Sequence, residues 1–487
     1  MGVFEFLKRN KEIIIVALIL IFTFVLIYSP HFNYKYPMHG DEWIHIGDSK
    51  KFSLGEQRFA VHETGFQLFL VLLTWLGFDL ILIYRFLPAI FACISSIILF
   101  LLIKRKTNFY CGILAMIFFA LLPSRPYILG LWFFTPLTFA IPLIYLFVLL
   151  FTEGVEQDSI KKVIYSFIII LFILFIHPSS VLFMIPIIAI YMLFNLKFLK
   201  KNWLTFLSAC IIPLISLIWF SILYWRGDVI KTIVFFLTKL KFNFGKALYI
   251  DEFVYFFPNI YGWLAFLLAF VGVFFGLKKK NMKIFIIWVL VTLGLIWMVS
   301  YFEFSLLARY QRMLYYTMLG FIALSAFGLY ALLKKSFSYF KKKKFSYLFL
   351  GITLIIVFLV IFNHYFDLAS SAPLYYDVED DDYYEALLYL KEFNRSVVLT
   401  TTKSSMSVYP IAGHDVVSCA YGRCLKIDEN VIDNKRFFNE TADCSEKEEI
   451  LKKYKVSFIL SNKTIDCGWK KIFENTKYIY DVRYLKS

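Results

Sequence analysis

Residues 11–52 read KEIIIVALILIFTFVLIYSPHFNYKYPMHGDEWIHIGDSKKF. Two unlike halves meet in this stretch. From Ile13 to Ser29 the chain is almost wholly apolar; farther on, Asp41, Glu42, His45 and Asp48 crowd together. The apolar run is flanked by Lys8, Arg9 and Lys11 and approaches the roughly 20 residues that cross a bilayer. A signal peptide would end at a small-residue cleavage site. YSPHFNYKYP offers none, so the run predicts a retained span. The acidic cluster then stands directly beyond a membrane helix, where a desolvated charge is costly.

The rest of the chain extends this reading. Of 487 residues, 60% are hydrophobic and 20% aromatic, and the mean hydropathy is +0.69. These values exceed those of soluble domains and predict a polytopic α-helical membrane protein. The net charge of +16 suggests nucleic acid at first sight. The basic residues, however, cluster between apolar runs: 104–106, 161–162, 197–201, 278–283, 334–335 and 341–344. That is the positive-inside pattern, and it needs no nucleic-acid partner. Apolar runs fall near 11–29, 80–103, 109–123, 135–152, 163–177, 179–196, 203–224, 259–277, 283–301, 311–333 and 345–362. About eleven spans follow, with the N-terminus inside and the C-terminus outside. The pair around His177-Pro178 reads as two short spans or one broken hairpin. The outer connections are 30–79, 124–134, 225–258, 302–310 and the tail. The stretch HETGFQLFLVLLTWLGF (62–78) is apolar but short; it predicts a helix lying in the outer interface.

Two domains are expected: a transmembrane part over 1–362, whose first outer loop is 30–79, and an extracytoplasmic α/β domain over 363–487. In the tail, YYDVEDDDYYEALLYLKEF leads into an amphipathic helix through Ala386, Leu387 and Leu390. SVVLTTT, GHDVVSCA, VSFILS and KYIYDVRYL read as strands and EKEEILKKY as a helix. Cys93, Cys111 and Cys210 lie in spans; Cys419, Cys424, Cys444 and Cys467 all lie in the tail. An even set outside the membrane predicts two disulfides with open connectivity; a zinc site is the alternative. All three Asn-x-Ser/Thr sequons, at Asn394, Asn439 and Asn462, also lie there.

Within the acidic cluster, a helix over 41–48 puts Asp41, His45 and Asp48 at i, i+4 and i+7 on one face. Trp43 and Ile46 point the other way, suited to an interfacial anchor. Polar residues near the outer side are candidates to join them: Arg125, His177, Asp251, Glu252, Glu303, Arg309 and Arg312. The bland alternatives are a solvated helix face for the carboxylates, snorkelling for the two arginines and a structural helix end for His177.

GDEWIHIGDSKKF, followed by HETGFQLFLVLLTWLGFDLILIYRFLPAIF and later by RYQRMLYYTMLGFIALSAFGLY, resembles the GT-C superfamily of membrane glycosyltransferases. That superfamily includes protein O-mannosyltransferases, aminoarabinose transferases and oligosaccharyltransferases. The tail is similar to the outer α/β domains of many prokaryotic members. The sequence departs from the mannosyltransferase and aminoarabinose transferase pattern at 62–64, where HET replaces a His-Pro-Pro-like step. It also lacks a WWD-type oligosaccharyltransferase motif. The resemblance implies transfer of a sugar from a polyprenyl-phosphate (dolichyl phosphate in some members) donor to an acceptor protein or glycolipid outside the cell membrane, with inversion. Asp41 matches the family carboxylate as general base, with Glu42 the alternative match. His45 and Asp48 would orient it or bind substrate. Arg309, Arg312 and His177 would hold the donor. Some members use a divalent metal and others do not; Asp41, His45 and Asp48 are the ligand candidates. A transporter or flippase of a lipid-linked or anionic solute is the competing reading, although ionisable residues at mid-span and inverted repeats are not seen. A noncatalytic scaffold would not need the acidic cluster.

Overall fold

The computed structural model describes residues 10–56, 63–125, 130–207, 230–231, 234, 241–243, 256–302, 304–306, 310–339, 343–370, 377–418 and 427–486. Internal contacts divide the chain into two units. The first comprises Met1–Asn33, Ala60–Phe66 and Phe86–Pro373; the second comprises Tyr34–Phe59, Gln67–Arg85 and Leu374–Ser487.

The first unit is helical. Ten of the expected spans correspond to helices: Lys11–Tyr28, Leu87–Lys106, Phe109–Ala120, Pro136–Glu156, Ile160–Ile176, Pro178–Leu193, Trp263–Gly276, Lys283–Phe302, Tyr310–Tyr339 and Lys343–Ser370. The expected span at 203–224 lies largely outside the described residues. Among the described residues five helices are long and apolar enough to cross a membrane: Lys11–His31, Leu87–Lys106, Pro136–Glu156, Lys280–Met298 and Tyr310–Ser336. At His177-Pro178 the chain ends one helix and starts the next without a loop, because proline suits the first helical turn. A short antiparallel ribbon pairs β1 (Lys241–Asn243) with β2 (Phe304–Leu306).

Glycine brings two of these helices together. A Cβ on Gly272 would stand 2.0 Å from the Leu324 carbonyl oxygen, and one on Gly328 would stand 2.0 Å from that of Leu268. Trp263–Gly276 and Tyr310–Tyr339 therefore meet backbone to backbone, the small-residue contact that suits an apolar medium. Ser325 Oγ crosses the same seam to the Ala265 carbonyl at 2.8 Å and pairs with the Tyr261 hydroxyl at 2.9 Å. Several basic ends also meet within this unit. Arg105 and Lys162 pair with Glu153 at 2.6 and 2.5 Å, Lys106 pairs with Glu156 at 2.6 Å, and Lys201 pairs with Asp158. Glu153 and Lys106 are buried, so this pairing compensates their desolvation.

The second unit carries a five-stranded sheet. Its strands are β3 (Val397–Leu399), β4 (Asp415–Val416), β5 (Phe458–Ser461), β6 (Lys470–Glu474) and β7 (Tyr478–Asp481) in the order β4-β3-β5-β7-β6. β4-β3-β5 run parallel and β5-β7-β6 antiparallel. The core gathers Leu399, Phe437, Ile450, Ile459, Trp469 and Tyr480. Ala386, Leu387 and Leu390 are buried on the helix Asp381–Leu390, as its periodicity predicts, and Asp380 caps it by accepting from the Tyr383 N–H at 2.7 Å. One disulfide joins Cys444 to Cys467; Cys419 and Cys424 lie outside the described residues. Closing a loop of that length stabilises the fold by about 3 kcal/mol through the unfolded chain.

Two boundaries differ from the sequence expectation. The helix Lys343–Ser370 runs through the proposed junction at 362/363, because its apolar faces continue past Phe362 to Tyr365, which is buried and whose hydroxyl accepts the Trp132 Nε1–H at 2.6 Å. Most of the first outer loop groups with the tail. Tyr34, Lys35, Tyr36 and Lys50 donate to tail residues, and Glu56 accepts from Arg395.

Candidate active site

The acidic segment is a helix, Gly40–Ser53. Its start is a capping box. His39 stands at the N-cap, and its Nδ1 accepts the Asp41 N–H at 3.1 Å. Glu42 reaches back, and its Oε2 accepts the N–H groups of Met38 at 2.8 Å and His39 at 3.0 Å. Helix starts leave such donors without intrahelical partners, and a carboxylate there also complements the helix dipole. Glu42 is only 1% exposed. Asp41 is its opposite: its side chain is 34% exposed, with Oδ2 3.9 Å from His39 Nδ1. His45 is buried and Asp48 half-buried on the same helix. Trp43 and Ile46 are buried too, so the face expected to anchor in an interface is packed inside protein instead.

The tail grips this helix at both ends. Ahead of it, the Tyr34 hydroxyl donates to the Val378 carbonyl at 2.7 Å. Tyr36 and Lys35 donate to the two carboxylate oxygens of Asp381, each at 2.7 Å. These donors hold Asp381 below the usual carboxylate range, Lys35 most strongly. At the far end, Lys50 Nζ lies 3.5 Å and 3.4 Å from the carbonyls of Tyr409 and Pro410, and Lys51 Nζ sits 4.4 Å from the centre of the Tyr409 ring. Burial pushes Lys50 below its ordinary value. Arg395 forks onto Asp415 at 3.0 Å through both contacts and reaches Glu56 at 2.5 Å, which holds Glu56 below its ordinary value. Between these ends Gly47 faces Pro410, with room for a Cβ at 3.4 Å and little more.

The remaining expected residues belong to the first unit. His177 is buried; its Nδ1 lies 2.8 Å from Ser180 Oγ and 3.2 Å from the Tyr316 hydroxyl, while Ser180 and Tyr316 are 2.8 Å apart. Tyr316 stands one turn along from Arg312, which is half-buried in the first turn of Tyr310–Tyr339. Arg125 is also half-buried. Arg309, Asp251, Glu252 and Glu303 lie outside the described residues. A groove of about 770 Å³ lies along Phe109–Ala120, Tyr310–Tyr339 and Lys343–Ser370, but its lining contains none of the expected site residues.

No family model matches the chain, and no curated protein matches it in sequence. Solved structures match it in fold. The oligosaccharyltransferase of Archaeoglobus fulgidus in its apo form aligns at a TM-score of 0.65 and 12% identity, over 93% of this chain and 70% of that one. The same enzyme tethered to an acceptor peptide containing an NVT sequon aligns at 0.63 and 12%, over 94% and 70%. Its complex with an inhibitory peptide and a dolichol-phosphate aligns at 0.62 and 12%, over 94% and 70%. The chain shares the fold of these oligosaccharyltransferase structures.

The acidic helix is legible in the sequence, but what holds it is not. The spacing His39-x-x-Glu42 matches a capping box, yet histidine is outside the usual Ser/Thr/Asp/Asn set, which hid the signal. Arg395, Tyr409 and Asp381 carry no local motif at all; they matter only through contacts hundreds of positions away. Among the described residues no three His, Cys, Asp or Glu side chains converge as a metal site. Asp41, His45 and Asp48 share one helix without forming such a group.

Proposed function

We propose that this chain transfers a sugar from a polyprenyl-phosphate-linked donor to an acceptor at the outer face of the cell membrane, with the tail outside, and that Asp41 is the general base. The fold shared with a transferase solved with an acceptor peptide and with dolichol-phosphate supports the lipid-linked donor and a peptide acceptor. The observation that carries the residue assignment is the contrast between neighbours. Glu42 Oε2 is committed to two backbone N–H groups, whereas Asp41 is one-third exposed at the start of a helix held in place by the tail. A base must reach the acceptor proton, and geometry precedes pKa in choosing it.

In this reading the acceptor nitrogen or hydroxyl attacks the anomeric carbon as Asp41 takes its proton. The lipid phosphate leaves from the opposite side, so one displacement inverts the centre. Glu42 acts as a positioning residue by fixing the first turn, with His45 and Asp48 along the same helix toward substrate. Arg309 and Arg312 supply positive charge for the departing phosphate, which guanidinium binds through paired hydrogen bonds. His177, bonded to Ser180 and Tyr316, positions the segment below Arg312.

The test is direct transfer. Membranes containing the chain are incubated with labelled polyprenyl-phosphate and polyprenyl-diphosphate sugars and with a sequon peptide. Label recovered on the peptide supports the reading. Label that stays on lipid with every acceptor offered, while lipid crosses the bilayer faster, supports a flippase instead.

A further inference from the structure

The three sequons of the tail are unequal. Asn394, Asn439 and Asn462 are all exposed, as an N-glycosylation acceptor must be. In Asn394-Arg395-Ser396 the third residue is occupied: the Ser396 hydroxyl lies 3.2 Å from His414 Nδ1, and its N–H donates to the same nitrogen at 3.0 Å. Arg395 between them is tied to Asp415 and Glu56. In Asn462-Lys463-Thr464 the amide itself is occupied, since Asn462 Nδ2 donates to Glu379 Oε2 at 3.1 Å. Asn439-Glu440-Thr441 is different. It lies on the connection between Ile427–Phe437 and Cys444–Lys453, and both Asn439 and Thr441 are exposed. Asn439 Oδ1 accepts the Thr441 N–H at 3.3 Å, and its Nδ2 has no hydrogen bond among the described residues. The segment is steadied from both sides. Glu440 pairs with Lys463 at 2.5 Å, and the Cys444–Cys467 disulfide closes the loop just beyond.

We infer that Asn439 is an N-glycosylation site of this chain, modified by a lipid-linked sugar. The Nδ2 of Asn439 forms a bond to the anomeric carbon. The bond from that carbon to the phosphate oxygen breaks, and the polyprenyl phosphate departs with the electron pair. The amide gives up one proton to a transferase carboxylate. The inference rests on the outward placement of the tail in the proposed function, and it names this chain as a substrate, which that reading does not.

The experiment is peptide mapping by mass spectrometry on the full-length protein purified from its native membranes, as wild type, Asn439→Gln, Thr441→Val and Asp41→Asn. The expected result is a glycan mass on the Asn439 peptide, lost in Asn439→Gln and Thr441→Val, with lower occupancy at Asn462 and Asn394. Recovery of the Asn439 peptide wholly unmodified, from membranes whose other proteins carry N-glycans, overturns the inference. The Asp41→Asn arm separates it from the proposed function. Modification that persists there keeps Asn439 as a site and assigns the transfer to another enzyme. Modification that disappears supports both readings.

Discussion

Asp41 and Glu42 are adjacent acids whose carboxylates have different surroundings, and the difference is measurable. Glu42 completes the capping box, a contribution typically worth about 1 kcal/mol. Glu42→Ala should lower the unfolding temperature of the second unit, and Glu42→Gln should do so less, because an amide oxygen still accepts the Met38 and His39 N–H groups. An unchanged melting curve with transfer lost in both variants would instead give Glu42 the chemical role. Asp377 offers a second residue-scale test. It is buried in the tail, and burial pushes its carboxyl up to about 8, against about 3.9 in an unfolded chain. Between those values the folded state holds a proton that the unfolded state has released, so stability falls as pH rises from about 4 to about 8. Asp377→Asn keeps the shape of the neutral acid and cannot ionise. Its melting temperature should therefore change less over that pH range than the wild type's, and identical slopes would contradict the burial of a neutral carboxyl.

The elements show where sequence patterns suffice. Spans announce themselves because apolar length is a local property; Lys11–Tyr28 and Pro136–Glu156 are plain in the sequence. The amphipathic helix Asp381–Leu390 is legible through its spacing, and β5 through its unbroken apolar run. β6 was missed because KKIFE is an exposed edge strand whose identity comes from pairing with β7. Helix Ile427–Phe437 was missed because its polar sequence, IDENVIDNKRF, contributes only a narrow buried stripe ending in Phe437. Helix crossings leave a fainter trace in single glycines. Gly272 sits against the Leu324 carbonyl, whereas nothing lies within 4 Å of a Cβ on Gly294. Gly272→Leu should destabilise the membrane unit by at least the 1–3 kcal/mol typical of overpacking, seen as a lower melting temperature in detergent. Gly294→Leu should leave it nearly unchanged. Equal effects would mean that Trp263–Gly276 and Tyr310–Tyr339 do not meet at this seam.

At the scale of the molecule, an acidic cluster that reads as part of the membrane domain belongs by its contacts to the tail. No periodicity reveals this, since the bonds from Tyr36 to Asp381 and from Arg395 to Glu56 join distant parts of the chain. The GT-C resemblance was legible from short motifs, and solved structures sharing the fold at 12% identity agree with it. Breaking the grip should therefore reduce transfer without touching the acids: Arg395→Glu should lower kcat more than it raises KM for the donor, with partial rescue by Glu56→Arg. Unaltered kinetics in Arg395→Glu would detach the tail from the site. The most direct measurement is the single-turnover rate of sugar transfer from lipid donor to peptide by purified wild type and Asp41→Asn, taken beside their melting curves. Asn preserves the shape of Asp41 but cannot take a proton, so the rate should fall by about 10²–10⁴ at an unchanged melting temperature. A fully active Asp41→Asn protein would contradict Asp41 as the general base.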